Sequence, residues 1–589
     1  MQNHFNSVSD RKWSLIGIEE RLIDKLVQDL EISDFLARIV SSRSNSPFNS
    51  VIAKKWLDPK LKFDLPSPFV LKDIDKAVER IIDAYKRDEQ ITVFGDYDVD
   101  GATSSALIFK FFKMFGKEIN IYIPDRIKEG YGPNVKAIEN LKNNGTKLLI
   151  TVDCGITSFK EIEYANKLGL DTIVIDHHSP ESSLPNAYAI INPNRLDDES
   201  ELGMLAAVGV SFMFVRAIKS KLLEKNIIKD DFSNNLMQLL DLVALGTICD
   251  VVPLLGPNRA LVKQGLQFMS LMNNKGIKML YEILNIQDFP SVYHAGFLLG
   301  PRINAGGRVG KSELGVNLLI TENAQEAKNI SNELEKYNQD RKRIEEEVFI
   351  DAKGLVQKEE NSNILILSGK NWHNGVIGIV ASRVAEQFNK PTIIISTTDK
   401  ECKGSARSIS GINIGKLITA AKQKGLLING GGHPMAGGIT IEYNKIDEFK
   451  SFLNNQVKKN ISDSNERIKW IDLSISVSGL NIDLYKELSR VEPFGAGNPE
   501  PRFLVSNASI FGSRIVGEKH VSCSVTDSTK KRINAIAFRS VGTKLGNALL
   551  NKNYFHVIGK LKLSEWNGKE RLQMFIEDLI EIRIIEILQ

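Results

Sequence analysis

ITVFGDYDVDG, residues 91–101, ends a short apolar run in three carboxylates at alternate positions, Asp96, Asp98 and Asp100. Ile91, Thr92, Val93 and Phe94 are β-branched or aromatic and give way at once to Gly95, the pattern of a buried strand. The following Gly-Ala-Thr-Ser-Ser opens an apolar helix through Ala106, Leu107, Ile108, Phe111 and Phe112. Asp96 and Asp98 therefore sit at the carboxyl end of a strand, where α/β sheets hold their ligands. Two carboxylates aimed at one point repel unless a cation lies between them. An EF-hand is excluded, because its twelfth position is Leu107 and a strand precedes the loop. A phosphate-binding glycine loop lacks its required pattern. A solvated acidic turn stays open for this stretch alone.

Working outward, strands and helices alternate. A helix over 74–85 leads into the first strand, 119–123 and 147–152 read as further strands, 157–168 as a helix and 172–175 as the next strand. Such alternation specifies a mostly parallel sheet covered on both faces. Three strand ends deliver polar groups: Asp96 and Asp98, then Asp153, then Asp176, His177 and His178; a later apolar helix over 236–245 runs into Gly-Thr-Ile-Cys-Asp250. Hard oxygens with one or two imidazoles suit Mn²⁺ or Mg²⁺, and a set of this size can hold two ions. Two such ions clamp the attacking and leaving oxygens of a phosphoester.

GDYDVDG at 95–101, VDCG at 152–155, DHH at 176–178 and GTICDVVPL at 246–254 together resemble the motifs of the DHH phosphoesterase superfamily. The resemblance implies that Asp96, Asp98, Asp153, His177 and Asp250 are metal ligands, with Asp153 bridging two ions. It implies that His178 contacts the scissile phosphate and that Asp176 orients the imidazoles. Some relatives carry a His just before the first Asp, whereas Thr92 to Gly95 supply none.

The 589 residues carry a net charge of +4, so nucleic-acid binding must come from local clusters and not from a global field. The length exceeds one core and suggests three or four domains. Four scattered cysteines form no C-x-x-C pair, and no apolar run reaches bilayer length, so the chain reads as cytoplasmic. GPRINAGGRVGKSELGV, 300–316, offers Arg302, Asn304, Arg308 and Lys311 among glycines as phosphate contacts, with a solvated basic turn as the alternative. A charged segment over 322–359 is one long connecting helix. Glycine-rich stretches around 404–408 and 430–438 then bring Ser405, Arg407 and His433. From 468 onward, short alternating strands suit an OB-type barrel, with Lys519, His520, Arg532, Arg539, Lys560 and Lys562 for charge and Phe538, Tyr554 and Trp566 for stacking.

The expected organisation is thus α/β: an N-terminal segment (1–75), a DHH-type parallel-sheet domain (76–320), a connecting helix (321–359), a glycine-rich substrate-binding domain (360–460) and a barrel (461–589). That order resembles the nuclease branch of the superfamily. It implies a single-stranded-DNA-specific 5′ to 3′ exonuclease in repair and recombination, releasing 5′-mononucleotides with two Mn²⁺ or Mg²⁺ ions. The same resemblance implies a 5′-phosphate held by Arg126, Ser405 and Arg407, with a single-strand-binding protein and a helicase as partners. Two alternatives remain: a small-substrate phosphodiesterase, against which the barrel argues, and a non-catalytic relative, against which the full ligand set argues.

Overall fold

The computed structural model describes residues 7–43, 48–126, 128–228, 236–359, 362–398, 400–460, 468–566 and 569–582. It divides into two compact units: one holds 66–252 and 264–465, the other 1–65, 253–263 and 466–589.

The first unit contains two sheets. One is five-stranded and wholly parallel, in the order Asn120–Tyr122, Ile91–Gly95, Leu148–Val152, Asp171–Ile175, Ala189–Ile191. The central strands Ile91–Gly95 and Leu148–Val152 are buried along their whole length, which is why they read as unbroken apolar runs. Helix Leu240–Cys249 continues through the Gly-Thr-Ile-Cys stretch, so Asp250 stands at its C-cap, beyond the expected helix end at 245. A 33-residue helix, Ala324–Val356, follows. The second sheet is mixed, in the order Asn429–Gly432, Ala436–Glu442, Glu401–Arg407, Thr392–Thr397, Leu365–Lys370. Its glycine-rich edge is an antiparallel hairpin with His433 in the turn.

Residues 300–309, whose glycines and basic residues read as phosphate contacts or as a solvated basic turn, are a helix, Gly300–Val309. Its glycines serve packing: a Cβ on Gly307 would lie 2.8 Å from the Tyr97 carbonyl oxygen, and one on Gly306 2.6 Å from the Lys311 oxygen. Helix propensity yields here to tertiary contact.

In the second unit, strands Phe503–Val516, His520–Thr526, Arg532–Ala537, Lys569–Glu581 and Tyr554–Trp566 close into a barrel through the pairing of the first with the last. Residues 1–65 are part of this unit. Ile23 and Leu26 of helix Glu20–Leu30, with Leu36 and Ile39 of Asp34–Ser41, share one core with Phe503, Val505 and Phe555. Strand Lys12–Leu15 pairs parallel with Ile468–Ile471. Asp578, fully buried on the barrel, accepts from the Ser7 hydroxyl and the Trp13 indole and pairs with Lys469. Among the described residues no helix is long and apolar enough to cross a membrane.

Candidate active site

The carboxyl ends of three adjacent parallel strands meet at one point. Asp98 caps helix Val99–Met114, its Oδ1 accepting from the amides of Asp100 and Gly101 at 2.9 and 3.1 Å. Gly101 is required because a Cβ there would stand 2.5 Å from the Asp96 carbonyl oxygen. Asp153 follows the Leu148–Val152 strand with φ +60°, a left-handed conformation that Asp tolerates better than most residues. Val251, directly after Asp250, has φ +61°, a strained position for a β-branched side chain and one of the kind that gathers at functional sites.

Three overlapping groups meet here. Asp96, Asp98 and Asp153 form one, Asp100, His177 and Asp250 another, and Asp153, His177 and His178 a third that links them, with ligand atoms in each group within 4.8 Å of one another. His177 Nε2 lies 3.4 Å from Asp153 Oδ1, 3.7 Å from Asp250 Oδ2 and 3.9 Å from Asp100 Oδ2. That nitrogen and Asp96 Oδ1 are buried without a hydrogen-bond partner. Buried polar atoms normally have partners, so these two mark a position that a cation would complete. Without one, burial and neighbouring carboxylates hold Asp96, Asp100 and Asp153 well above the ordinary carboxylate range. Burial and then Asp98 push Asp250 to about 7. Burial, with His178 beside it, lowers His177 to about 4, so its imidazole is neutral and its lone pair available. The donor set of carboxylate oxygens and one neutral imidazole fits a hard divalent ion.

Asp100, which the resemblance does not name among the ligands, stands in the same motif and joins the group around His177. It is pinned by the amides of Ala207 and Val208 at 2.7 and 2.9 Å, at the start of helix Ala207–Glu224. The alternation of Asp96, Asp98 and Asp100 could have signalled it, but position 100 lies inside the helix and reads there as a first-turn acid.

Asp176 and His178 form a pair. Asp176 Oδ1 takes the His178 ring at Nδ1, 2.8 Å away, and the amides of His177 and His178, while Oδ2 accepts from the Ile156 amide. Against burial, these bonds hold Asp176 low and raise His178 to about 9. Tyr131 donates to the Asp153 carbonyl at 2.8 Å and reaches His178 Nδ1 at 3.4 Å. The exposed His433 ring of the hairpin lies 6.4 Å from that of His178.

Beside the carboxylates lies a cluster of opposite sign. Burial, and then Arg126, lowers both Arg407 and His373; burial followed by Arg126 and Arg341 takes Arg308 to about 10. Arg308 donates to the Gly375 carbonyl, and Arg407 to Ser405 Oγ and the Ala406 carbonyl. Mutual repulsion among these half-buried cations is relieved by an anion. His373 was not singled out in the sequence, where a lone His carries no signal.

Arg302, expected among the phosphate contacts, is engaged elsewhere: buried, it donates to the Leu298 carbonyl and pairs with Glu335. Asn304 is half-buried, and Lys311 pairs with Glu333. On the barrel, Phe538 is exposed between His520 and Phe575, each 4.9 Å away, and Tyr554 is exposed. Lys560 pairs with Glu577 and Lys562 with Glu500, so both lysines are spent inside the barrel. The Trp566 side chain lies outside the described residues.

Residues 90–247 match the DHH family, N-terminal domain, 361–459 the DHHA1 domain and 471–578 the RecJ OB domain. The chain is 34% identical to the single-stranded-DNA-specific exonuclease RecJ of Escherichia coli over 96% of its own length and 99% of that protein's. It is 30% identical to the Bacillus subtilis exonuclease of the same name, over 97% and 71% respectively. The crystal structure of RecJ from Thermus thermophilus in complex with Mn²⁺ superposes with a TM-score of 0.82 at 27% identity, covering 97% of this chain and 80% of that one. With every lobe matched and the similarity running nearly end to end, the chain belongs to the RecJ family of DHH-domain exonucleases.

Proposed function

We propose that this protein is a single-stranded-DNA-specific 5′ to 3′ exonuclease that hydrolyses phosphodiester bonds with two Mn²⁺ or Mg²⁺ ions. The observation that carries the reading is the convergence of three carboxylates, Asp100, Asp153 and Asp250, on the unpartnered His177 Nε2, with Asp153 also in a group with Asp96 and Asp98. Asp100, Asp153, His177 and Asp250 would hold one ion, and Asp96, Asp98 and Asp153 the other. When bound, such ions make water a nucleophile at neutral pH and neutralise charge on the phosphoryl oxygens.

The chain's own residues do the rest. His178, kept protonated near neutrality by Asp176, donates to a phosphate oxygen as negative charge grows there. Tyr131 fixes the Asp153 backbone and so the aim of that carboxylate. Arg126, Arg308, Ser405 and Arg407 hold a terminal 5′-phosphate; the planar guanidinium fork suits that anion as an ammonium does not. His433 approaches from the hairpin side of the site. Gly378 leaves room for the phosphate, since a Cβ there would lie 3.0 Å from Ser405 Oγ and 3.3 Å from Arg407 Nη2.

An end held in an anion pocket beside a cleavage centre yields mononucleotides from one polarity only. The reading extends to a single-strand-binding protein and a helicase as partners that present or generate single strands. It also extends to the cytoplasm, a reducing compartment in keeping with four free cysteines. The test is digestion of end-labelled single strands in Mn²⁺. The wild type should release 5′-mononucleotides and spare duplex, while Asp153→Ala should lose hydrolysis and keep strand binding. Substantial turnover by the variant would sink the assignment.

A further inference from the structure

The segment leading into helix Gly300–Val309 is a run of π-helix, His294–Leu299, and it presents two aromatic rings that the chemistry above does not use. Tyr293 and Phe297 are 59% and 69% exposed, yet their rings stack on each other, centroids 5.6 Å apart and planes 22° from parallel. Leaving two large rings bare is costly in water, and π-helical turns occur often at functional sites. The segment is not a loose surface loop. Ala295 takes the Cys249 thiol, and a Cβ on Gly300 would meet Cys249 Sγ at 2.5 Å, so the run is packed on the residue before Asp250.

Tyr293, Phe297, Pro301, Asn304 and Arg308 recur at spacings of four, four, three and four, which puts them along one flank of the continuous helical rod. The opposite flank carries Arg302, which is buried against Glu335. One end of that flank is therefore Arg308, half-buried in the cationic cluster, and the other is the exposed aromatic pair. At about 1.5 Å per residue Phe297 lies roughly 17 Å and Tyr293 roughly 22 Å from Arg308 along the rod. A stacked strand advances about 3.4 Å per nucleotide, and an extended one more, so the bases in reach are about the third to the sixth from the bound end.

We propose that Tyr293 and Phe297 form a stacking platform for bases of the single strand a few nucleotides behind the 5′ end. Nucleobases are the occupant that the page favours, because the flank is continuous with a cluster built for phosphate, and every base offers a π-face whatever its sequence. The platform would hold the incoming strand in line while the terminal nucleotide is removed. It would act only on strands that extend past the pocket. The inference rests on the nuclease reading.

The test compares kcat/KM for a 5′-phosphorylated dinucleotide, too short to reach the rings, with that for a strand of roughly a dozen nucleotides. Phe297→Ala and Tyr293→Ala should each lower the ratio of long to short by about tenfold, the scale of one lost base stack, and Phe297→Trp should restore it. Both side chains are exposed, so the fold should be kept; circular dichroism checks this. An unchanged ratio, whether both substrates suffer equally or neither does, would overturn the platform. Loss of a concentration-dependent dimer in Phe297→Ala, with the ratio intact, would overturn it in favour of self-association. If the wild type binds the long strand, cleaves neither substrate and loses affinity with Phe297→Ala, the platform stands and the nuclease reading fails.

Discussion

Arg126 lies with its guanidinium carbon 4.9 Å from the centre of the Tyr97 ring, and Tyr97 is the residue between Asp96 and Asp98. One tripeptide thus carries two carboxylates of the proposed metal centre and, between them, the surface on which a proposed end-binding arginine rests. Gly307 closes on the backbone of the same tyrosine, leaving no room for a side chain. In the proposed mechanism the separation between end pocket and cleavage centre is then set by one turn of backbone, and the length of the product with it.

Removing that surface should loosen the end pocket without emptying the metal centre. A desolvated cation–π contact contributes about 2 kcal/mol, so Tyr97→Leu should reduce the preference for 5′-phosphorylated over 5′-hydroxyl strands by up to about thirtyfold. Tyr97→Phe, which keeps the ring, should retain it. Arg407→Ala should narrow the same preference more strongly, as it removes a guanidinium outright. Rates on the two kinds of end decide this. A Tyr97→Leu enzyme with full preference would show that Arg126 is positioned by something else.

Asp100 is expected to matter as a ligand and not only as a cap. Asp100→Asn keeps an acceptor for one of the Ala207 and Val208 amides, which bond separate carboxylate oxygens, and removes a charge from the group around His177. Titration calorimetry with Mn²⁺ should show one site weakened or lost, with the fold intact. Asp176→Asn should act less directly, costing about 10–100-fold in activity through the orientation of His178. Two full-strength Mn²⁺ sites in Asp100→Asn would confine that residue to helix capping.

What the sequence disclosed follows from how local each signal is. The strand ends bearing Asp96, Asp153 and Asp176 are legible because an apolar run and its terminal acid are adjacent, and the sheet that gathers them follows from alternation alone. Arg302 and Arg308 are only six positions apart, yet one is buried against Glu335 and the other faces Gly375; helix phase, hidden by the glycines, decides between them. Residues 1–65 were opaque for another reason. Their helices are short, and most of the core that Ile23 and Leu36 join lies beyond position 470, so no local pattern could say what they cover.

Asp241 offers a test on stability. It is buried, 4% exposed, and burial raises its carboxyl to about 7. The folded state then binds a proton that the unfolded chain, with an ordinary pKa near 3.8, has already released. The stability from this proton is full below about 3.8 and is lost as pH rises through 7. At about 1.4 kcal/mol per pKa unit the loss is a few kcal/mol. Asp241→Asn should therefore unfold at a higher temperature than the wild type at pH 8 and at nearly the same temperature at pH 4. A difference that does not change with pH would contradict the shift.

The barrel unit should tolerate neither loss of its clamp nor truncation on one side. Arg259, 1% exposed, donates to the carbonyls of Trp56, Val491, Glu492 and Pro493 and stacks on the Trp56 ring at 3.9 Å. Asn498 also serves Val491 and Pro493, so Arg259→Ala strands chiefly Trp56 and Glu492. Each buried carbonyl left without a donor costs about 1–3 kcal/mol, enough to lower the denaturation midpoint clearly. Removing residues 468–589 alone strips the cover from Ile23, Leu26, Leu36 and Ile39, and this truncation should aggregate or become protease-sensitive within 1–65. Removing 1–65 and 466–589 together takes away both halves of that core. The remaining protein should stay soluble and cleave a dinucleotide, while its kcat/KM on long strands falls further, because stacking of about 1–3 kcal/mol per base is lost only where a strand could reach the barrel. Equal losses on short and long substrates would mean that the barrel supports the fold and does not hold the strand.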